Sequence, residues 1–188
     1  MESFEYAAPH SVSEAVGLLS ATAGESDVLA GGTDLLSLMK ERIHTPNRLV
    51  SLKNVGDLYG IGASEGGLRI GAMATIGELL DNPQVRDQYP SLIQAADGIA
   101  GGQMRSMGTV GGELLQRPRC WYFRNGFGLL GQDGAGKSLV PDGENKYHAI
   151  LGNSGPAYFV NASSLAPALI ALDATAKIAG PEGERDLA

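Results

Sequence analysis

The chain has 188 residues, 43% of them hydrophobic and 19% charged, with a formal net charge of -7, ordinary figures for a soluble protein able to bury a core. The negative balance argues against broad nucleic-acid binding, which needs a cationic surface to neutralise phosphates. A single cysteine, Cys120, excludes an internal disulfide framework and a four-cysteine metal or iron–sulfur site within this chain.

No basic segment followed by an apolar stretch opens the chain, and no apolar run approaches the length of a membrane span, so a cytoplasmic protein is expected. The first part reads as short alternating strands and helices. Phe4 and Tyr6 suggest a strand, and Ser11 with Glu14 forms a capping box ahead of Ala15, Val16, Leu18 and Leu19. Val28-Leu29 reads as a buried strand running into Ala30-Gly31-Gly32-Thr33-Asp34. A helix from Leu35 to Glu41 places Leu35, Leu38 and Met39 on one face, and Leu49, Val50 and Leu52 suggest the next strand.

From about Asn54 the pattern changes. Leu58, Ile61, Leu68 and Ile70 flank Gly66-Gly67 as in a hairpin. Thr75 and Glu78 cap a short helix that Asn82-Pro83 ends, and a helix of mostly small residues runs from Ser91 to Ala100. It leads to Gly108-Thr109-Val110-Gly111-Gly112. Residues 125–146 are polar, rich in glycine and without periodicity, the signature of a long functional or mobile loop. Order is expected again from Tyr158-Phe159-Val160, followed by a helix from Ser164 to Leu172 and a strand from Thr175 to Ile178. The segment Gly183 to Ala188 reads as half of a hairpin, as if a domain were interrupted there. The expected division is a small α/β subdomain over 1–53 and a larger α+β subdomain over 54–188.

Glycine accounts for 27 residues, about twice the usual share. In Ala30-Gly31-Gly32-Thr33-Asp34-Leu35 a strand ends in small residues and opens a helix, which presents several backbone N–H groups to an anion such as a pyrophosphate. The alternative is a tight turn capped by Thr33 or Asp34. Gly108-Thr109-Val110-Gly111-Gly112 offers N–H donors and a hydroxyl in the same way, or else a bulge or turn. Neither fits G-x-G-x-x-G, so a Rossmann site is not indicated. Two such loops together suit a dinucleotide diphosphate lying between them.

A third segment, Gly131-Gln132-Asp133-Gly134-Ala135-Gly136-Lys137-Ser138, satisfies the P-loop pattern formally. Asn125-Gly126-Phe127-Gly128 precedes it where a strand is required, and Pro141-Asp142-Gly143 follows where a helix is required. A P-loop-like nucleotide-binding module is therefore the lesser alternative, beside a non-catalytic assembly module. His10, His44 and His148 show no metal-ligand spacing and read as surface or capping residues. Cys120, without an evident base, reads as a structural thiol. The run Gln116 to Arg124 joins cations with aromatic rings, either as a packed cluster with solvated arginines or as a surface for a partner subunit.

Ala30-Gly31-Gly32-Thr33-Asp34-Leu35 with Thr109-Val110-Gly111-Gly112 resembles the paired flavin loops of the xanthine dehydrogenase family. Gln103 to Gly108 and Gln116 to Arg124 are similar to the same region in the FAD-binding (medium) subunits of bacterial molybdenum hydroxylases, and the likeness runs over essentially the whole chain. The resemblance implies a two-subdomain FAD-binding fold of the vanillyl-alcohol oxidase / p-cresol methylhydroxylase type, with FAD between the subdomains. By position it implies cofactor contacts from Ala30, Gly31, Gly32, Thr33, Asp34 and Leu35, from Thr109, Gly111 and Gly112, and from Ser163, Ser164 and Leu165. Ile99 falls where the family packs an apolar side chain near the flavin nucleotide.

Some positions depart from the family pattern. Glu113 and Ser106 stand where many relatives have asparagine, and Ser164 where some have aspartate. A carboxylate at Glu113 would repel a diphosphate unless turned away. Relatives with an additional four-iron cluster use several cysteines after the aromatic run; with Cys120 alone, no such cluster is expected. Family members also continue for roughly another domain. The implied function is electron relay: a molybdopterin large subunit oxidises an organic substrate, a small subunit with two-iron clusters carries the electrons, and FAD on this chain receives them for NAD+, oxygen or another acceptor. No side chain presents itself as a catalytic acid or base.

Overall fold

A computed structural model describes residues 1–188. Its N-terminal part is built around one parallel sheet. Strand β1 (Glu5–Ala7) leads to helix α1 (Val12–Leu18), β2 (Ser26–Leu29) to α2 (Leu35–Lys40), and the chain then returns as β3 (Arg48–Ser51). β3 lies between the other two, paired in parallel with both, so that Tyr6 and Asp27 face Leu49 and Ala7 and Val28 face Val50. Its central place explains its composition: Leu49 and Val50 are fully buried, as a strand covered on both faces requires. Ser11 Oγ accepts the N–H of Glu14 at 3.1 Å, and Glu14 Oε2 accepts that of His10 at 2.7 Å, which starts α1 where the serine–glutamate spacing predicts.

Two single-turn 3-10 helices (Leu52–Asn54 and Gly56–Leu58) lead to the hairpin of β4 (Ile61–Ser64) and β5 (Gly67–Ile70). Three short helices follow: α3 (Ile76–Asp81), α4 (Pro83–Gln88) and α5 (Pro90–Asp97). Thr75 and Glu78 form a complete capping box on α3, and Asn82 Oδ1 accepts the N–H of Val85 at 3.0 Å with Pro83 in the first turn of α4. α5 stops earlier than its apolar pattern suggests. Beyond it Ala100 takes φ +40°, and Arg105 donates to the carbonyls of Ile99 and Ala100 at 2.7 and 3.1 Å.

The helices α6 (Gly102–Arg105), α7 (Val110–Leu114) and α8 (Trp121–Arg124) are single turns, and α9 (Leu165–Ala171) comes after a long segment without regular helices or strands. Ile76, Leu79, Val85, Leu92, Ala96, Val110 and Leu165 form the main core, which joins α3, α4, α5, α7 and α9. A second cluster of Leu38, Cys120 and Phe123 packs α8 against α2. The C-terminal segment corrects the expectation of a half-made hairpin. β6 (Ala176–Gly180) and β7 (Gly183–Leu187) pair along their full length, from Gly180–Gly183 to Ala176–Leu187, because Gly183 at φ +109° supplies the turn. No helix is long and apolar enough to cross a membrane.

Candidate functional site

The loop between β2 and α2 touches the loop before α7, although they lie far apart in sequence. A Cβ placed on Gly31 would stand 1.8 Å from the carbonyl oxygen of Met107, so only glycine lets the two backbones approach this closely. Gly32 has φ +76°, the left-handed region that a side chain disfavours. From the other side, a Cβ on Gly108 would stand 3.6 Å from Thr33 Oγ1. Thr33 therefore lies against Gly108, the residue that precedes the buried Thr109.

The two loops use their backbone differently. None of the N–H groups of Ala30, Gly31, Gly32, Thr33, Asp34 and Leu35 finds an acceptor within the protein, and the Thr33 hydroxyl is likewise unbonded. Half-buried donors left without partners are costly unless something else accepts from them. The second loop is mostly engaged in holding its own shape. Val110 N–H donates to Ala74 O at 2.8 Å, Gly111 N–H to Ala72 O at 2.9 Å, Gly108 N–H to Met104 O at 2.7 Å, and Gly112 N–H to Thr109 Oγ1 at 3.1 Å. That leaves the N–H of Thr109 and the hydroxyl proton of its buried side chain. The expectation of equal donor sets is corrected: the first loop is the donor-rich one, and the second is a braced wall.

Neither Thr33 nor Asp34 caps α2. Asp34 instead accepts from the N–H of Arg117 at 2.9 Å and from Arg124 Nη2 at 3.0 Å. Arg124, solvated in one of the two readings of the run Gln116 to Arg124, is thus paired. The later segment is also internally bonded. Ser163 Oγ, rather than Ser164, caps α9, accepting from Leu165 and Ala166 at 3.1 Å each, and Ser164 donates its N–H to Glu113 Oε1 at 2.9 Å. Ile99 is half-buried against the main core, with its carbonyl held by Arg105.

Two pairings lie outside what the sequence spacing suggests. His148 Nε2 stands 3.1 Å from Cys120 Sγ, and His148 Nδ1 is buried without a partner. Trp121 and Tyr147 join these two in lining a cavity of about 160 Å³. His44 pairs with Asp27, whose Oδ2 is also 3.8 Å from Arg117 Nη2. Neither histidine is a free surface group, and their partners lie 28 and 17 residues away, beyond any local motif.

The P-loop pattern does not form a phosphate cradle. Asp133 Oδ1 accepts the N–H groups of Ala135 and Lys137 at 2.9 Å, Asp133 N–H donates to Lys137 O at 2.9 Å, and no helix follows. The loop closes on itself with its own carboxylate inside. Lys137 is exposed and pairs with Asp142 at 3.0 Å, which raises its pKa above the ordinary lysine value, chiefly through the hydrogen bond. No group of three or more metal-ligating side chains occurs.

Comparison with known proteins places the chain in a family. Residues 2–188 match the family model described as the FAD binding domain in molybdopterin dehydrogenase. The chain is 35% identical to the FAD-binding subunit of an aldehyde oxidoreductase from Escherichia coli, over 98% of this chain and 58% of that one. It is 40% identical to the carbon monoxide dehydrogenase medium chain of Hydrogenophaga pseudoflava, over 59% of this chain and 39% of the relative. In structure it superposes on carbon monoxide dehydrogenase from Oligotropha carboxidovorans with a TM-score of 0.69 at 27% identity, covering 99% of this chain and 50% of that one. Quinoline 2-oxidoreductase from Pseudomonas putida gives a TM-score of 0.69 at 26% identity over the same shares. The chain spans 58% of the length of the aldehyde oxidoreductase relative. With the family model covering residues 2–188, the chain belongs to the FAD-binding domains of the molybdopterin dehydrogenases.

Proposed function

We propose that this chain binds the FAD of a molybdenum hydroxylase in the cytoplasm, with the diphosphate on the surface shared by the two glycine loops. The observation that carries this is the uninterrupted set of unbonded N–H groups from Ala30 to Leu35 next to the N–H and hydroxyl of Thr109. Oriented backbone donors with no side chain in front of them suit a diphosphate. In this reading Gly31 lets the two loops meet, Gly32 takes the left-handed turn, Ala30, Gly31, Gly32, Thr33, Asp34 and Leu35 donate from the backbone, and the Thr33 and Thr109 hydroxyls donate to phosphate oxygens. Gly111 lets the second wall pack closely on Ala72, and Gly112 lies against Thr109 Oγ1. Ile99, Ser163, Ser164 and Leu165 border the nucleotide as the family likeness implies, Ser164 through its exposed hydroxyl.

The proposal includes the two-subdomain arrangement of the vanillyl-alcohol oxidase / p-cresol methylhydroxylase type, divided at 1–53 and 54–188. When bound, FAD would supply the redox centre between a two-iron-cluster small subunit and NAD+ or another acceptor. The organic substrate is oxidised on a molybdopterin large subunit. What this chain contributes is position and a field of backbone dipoles; no acid or base is assigned to it. The relatives named as FAD-binding subunit and medium chain support the assembly.

The test is FAD titration of the purified chain, followed by flavin absorbance and fluorescence quenching. Saturable binding that Thr33→Val and Thr109→Val both weaken is the expected result. Absence of binding, or ATP binding abolished by Lys137→Ala, overturns the reading.

A further inference from the structure

Asp34 stands at the position that precedes α2, where an aspartate ordinarily turns back and accepts an N–H of the first helical turn. It does not do so. The N–H of Ser37, which would be a usual partner, has no acceptor within the protein, like those of the loop itself. The carboxylate is instead drawn to the far side, with Oδ1 3.0 Å from Arg124 Nη2 and Oδ2 2.9 Å from the N–H of Arg117. Both side chains of the ion pair are more than three-quarters buried, at 20% and 23% exposed.

Arg124 is itself fixed. Its Nε donates to Pro118 O at 2.9 Å and its Nη2 to Arg117 O at 3.1 Å. Phe123, its neighbour on α8, packs with Leu38 of α2. The guanidinium is therefore held in place before any ligand arrives. Without it, a carboxylate among unbonded N–H groups would rotate onto them, as capping aspartates do, and occupy the donors that an anion needs. It would also leave a bare negative charge beside a bound diphosphate.

Building on the proposed FAD site, we infer that Arg124 is a positioning residue for the nucleotide loop: it holds the Asp34 carboxylate off the Ala30–Leu35 N–H groups and offsets its charge, so that those donors stay open to the FAD diphosphate. Asp34 thus serves the site through its backbone, and its carboxylate is a group the site must restrain. A simple brace between α8 and α2 would behave differently. Losing either partner of a brace weakens the site, and losing both is no better than losing one. Restraint makes the two losses oppose each other.

The experiment is FAD titration by fluorescence quenching of the 188-residue chain and its Arg124→Met, Arg124→Lys, Asp34→Ala and Asp34→Ala/Arg124→Met variants, with unfolding without FAD measured for each. Arg124→Met raises Kd by about tenfold or more, the scale of one uncompensated, partly buried charge. Added salt narrows that gap, since the repulsion is screened. Arg124→Lys recovers part of the loss, and the double variant returns to within about threefold of the wild type. Asp34→Ala alone keeps the backbone N–H that the site uses and every Arg124 contact to the backbone, so that it loses clearly less FAD affinity than Arg124→Met although it also removes the acceptor of Arg117 N–H. That last variant decides the matter even where Arg124→Met fails to fold: a tenfold loss in Asp34→Ala makes the carboxylate a ligand and overturns the inference. So does a folded double variant as weak as Arg124→Met. Wild-type binding with Arg124→Met unchanged overturns this inference alone, whereas no FAD binding by the wild type overturns the site as well.

Discussion

Glu113 Oε1 accepts the backbone N–H of Ser164 at 2.9 Å, across 51 residues of chain. The contact ties α7 to the start of α9 and gives the one acidic side chain of the second glycine segment a fixed direction. Glu113→Ala is expected to lower unfolding free energy by about 1 kcal/mol, the usual cost of losing a bond at a helix start. Glu113→Gln, which keeps an acceptor oxygen, recovers most of it in urea denaturation. FAD affinity should follow stability only weakly, because the carboxylate is already engaged elsewhere.

Gly31 carries the sharpest steric prediction. With a Cβ 1.8 Å from Met107 O, Gly31→Ala forces the two loops apart, since both groups are backbone and cannot swing aside. A stability loss of about 2 kcal/mol or more should accompany loss of FAD binding. Gly101 meets nothing within 4 Å, so Gly101→Ala should shift stability by less than about 0.5 kcal/mol. The pair, compared by chemical denaturation and FAD titration, separates close approach from general loop sensitivity.

Thr109 is buried and its Oγ1 accepts from Gly112 N–H at 3.1 Å while its N–H stays unbonded. Thr109→Val preserves the volume but removes the acceptor at the start of α7, which should cost about 1 kcal/mol. Thr109→Ser keeps the hydroxyl and restores the cap. If the hydroxyl proton also serves the diphosphate, the valine variant loses FAD affinity beyond what its stability explains, and the serine variant does not. A titration of both against the wild type measures the difference.

Lys137 distinguishes the glycine-loop site from the sequence's formal P-loop. Its ammonium is exposed and pairs only with Asp142, in a loop already filled by Asp133. Lys137→Ala should leave FAD affinity and melting temperature unchanged within error. A nucleotide affinity that depends on Lys137 is the contrary result, read by titration with ATP.

What could be read in the sequence was local. Ser11 and Thr75–Glu78 start their helices because each cap lies within a few residues, although Glu14 accepts from His10 and not from Ser11; Asn82–Pro83, expected only to end a helix, also starts α4. The Gly66-Gly67 hairpin closed as expected for the same reason. The glycine loops were visible as composition, whereas the contact between Gly31 and Met107 was not. What lay beyond reach was non-local. Nothing in β1, β2 or β3 says that β3 sits in the middle, since the order depends on how the crossovers wind. The unequal donor sets depend on Ala72 and Ala74 accepting from the second loop. Asp34 and Arg124 lie 90 residues apart, so the ion pair left no spacing to find.

Cys120 and His148 offer a last case in which burial decides the outcome. The thiol is 6% exposed, with His148 Nε2 at 3.1 Å, and the imidazole meets Trp121 edge-on at 5.7 Å between ring centroids. His148 therefore acts as a polar lid over the thiol, and its Nδ1 is left buried without a partner. Removing the ring should open the cavity: His148→Ala is expected to cost about 1–3 kcal/mol and to speed labelling of Cys120 by a thiol reagent at least several-fold. His148→Phe keeps the aromatic contact and removes the unpartnered nitrogen, and it sacrifices only a weak sulfur hydrogen bond. Its stability should stay within about 1 kcal/mol of the wild type, with the thiol still protected. Labelling rates that rise equally in both variants would show that the hydrogen bond, and not the ring, shields the sulfur.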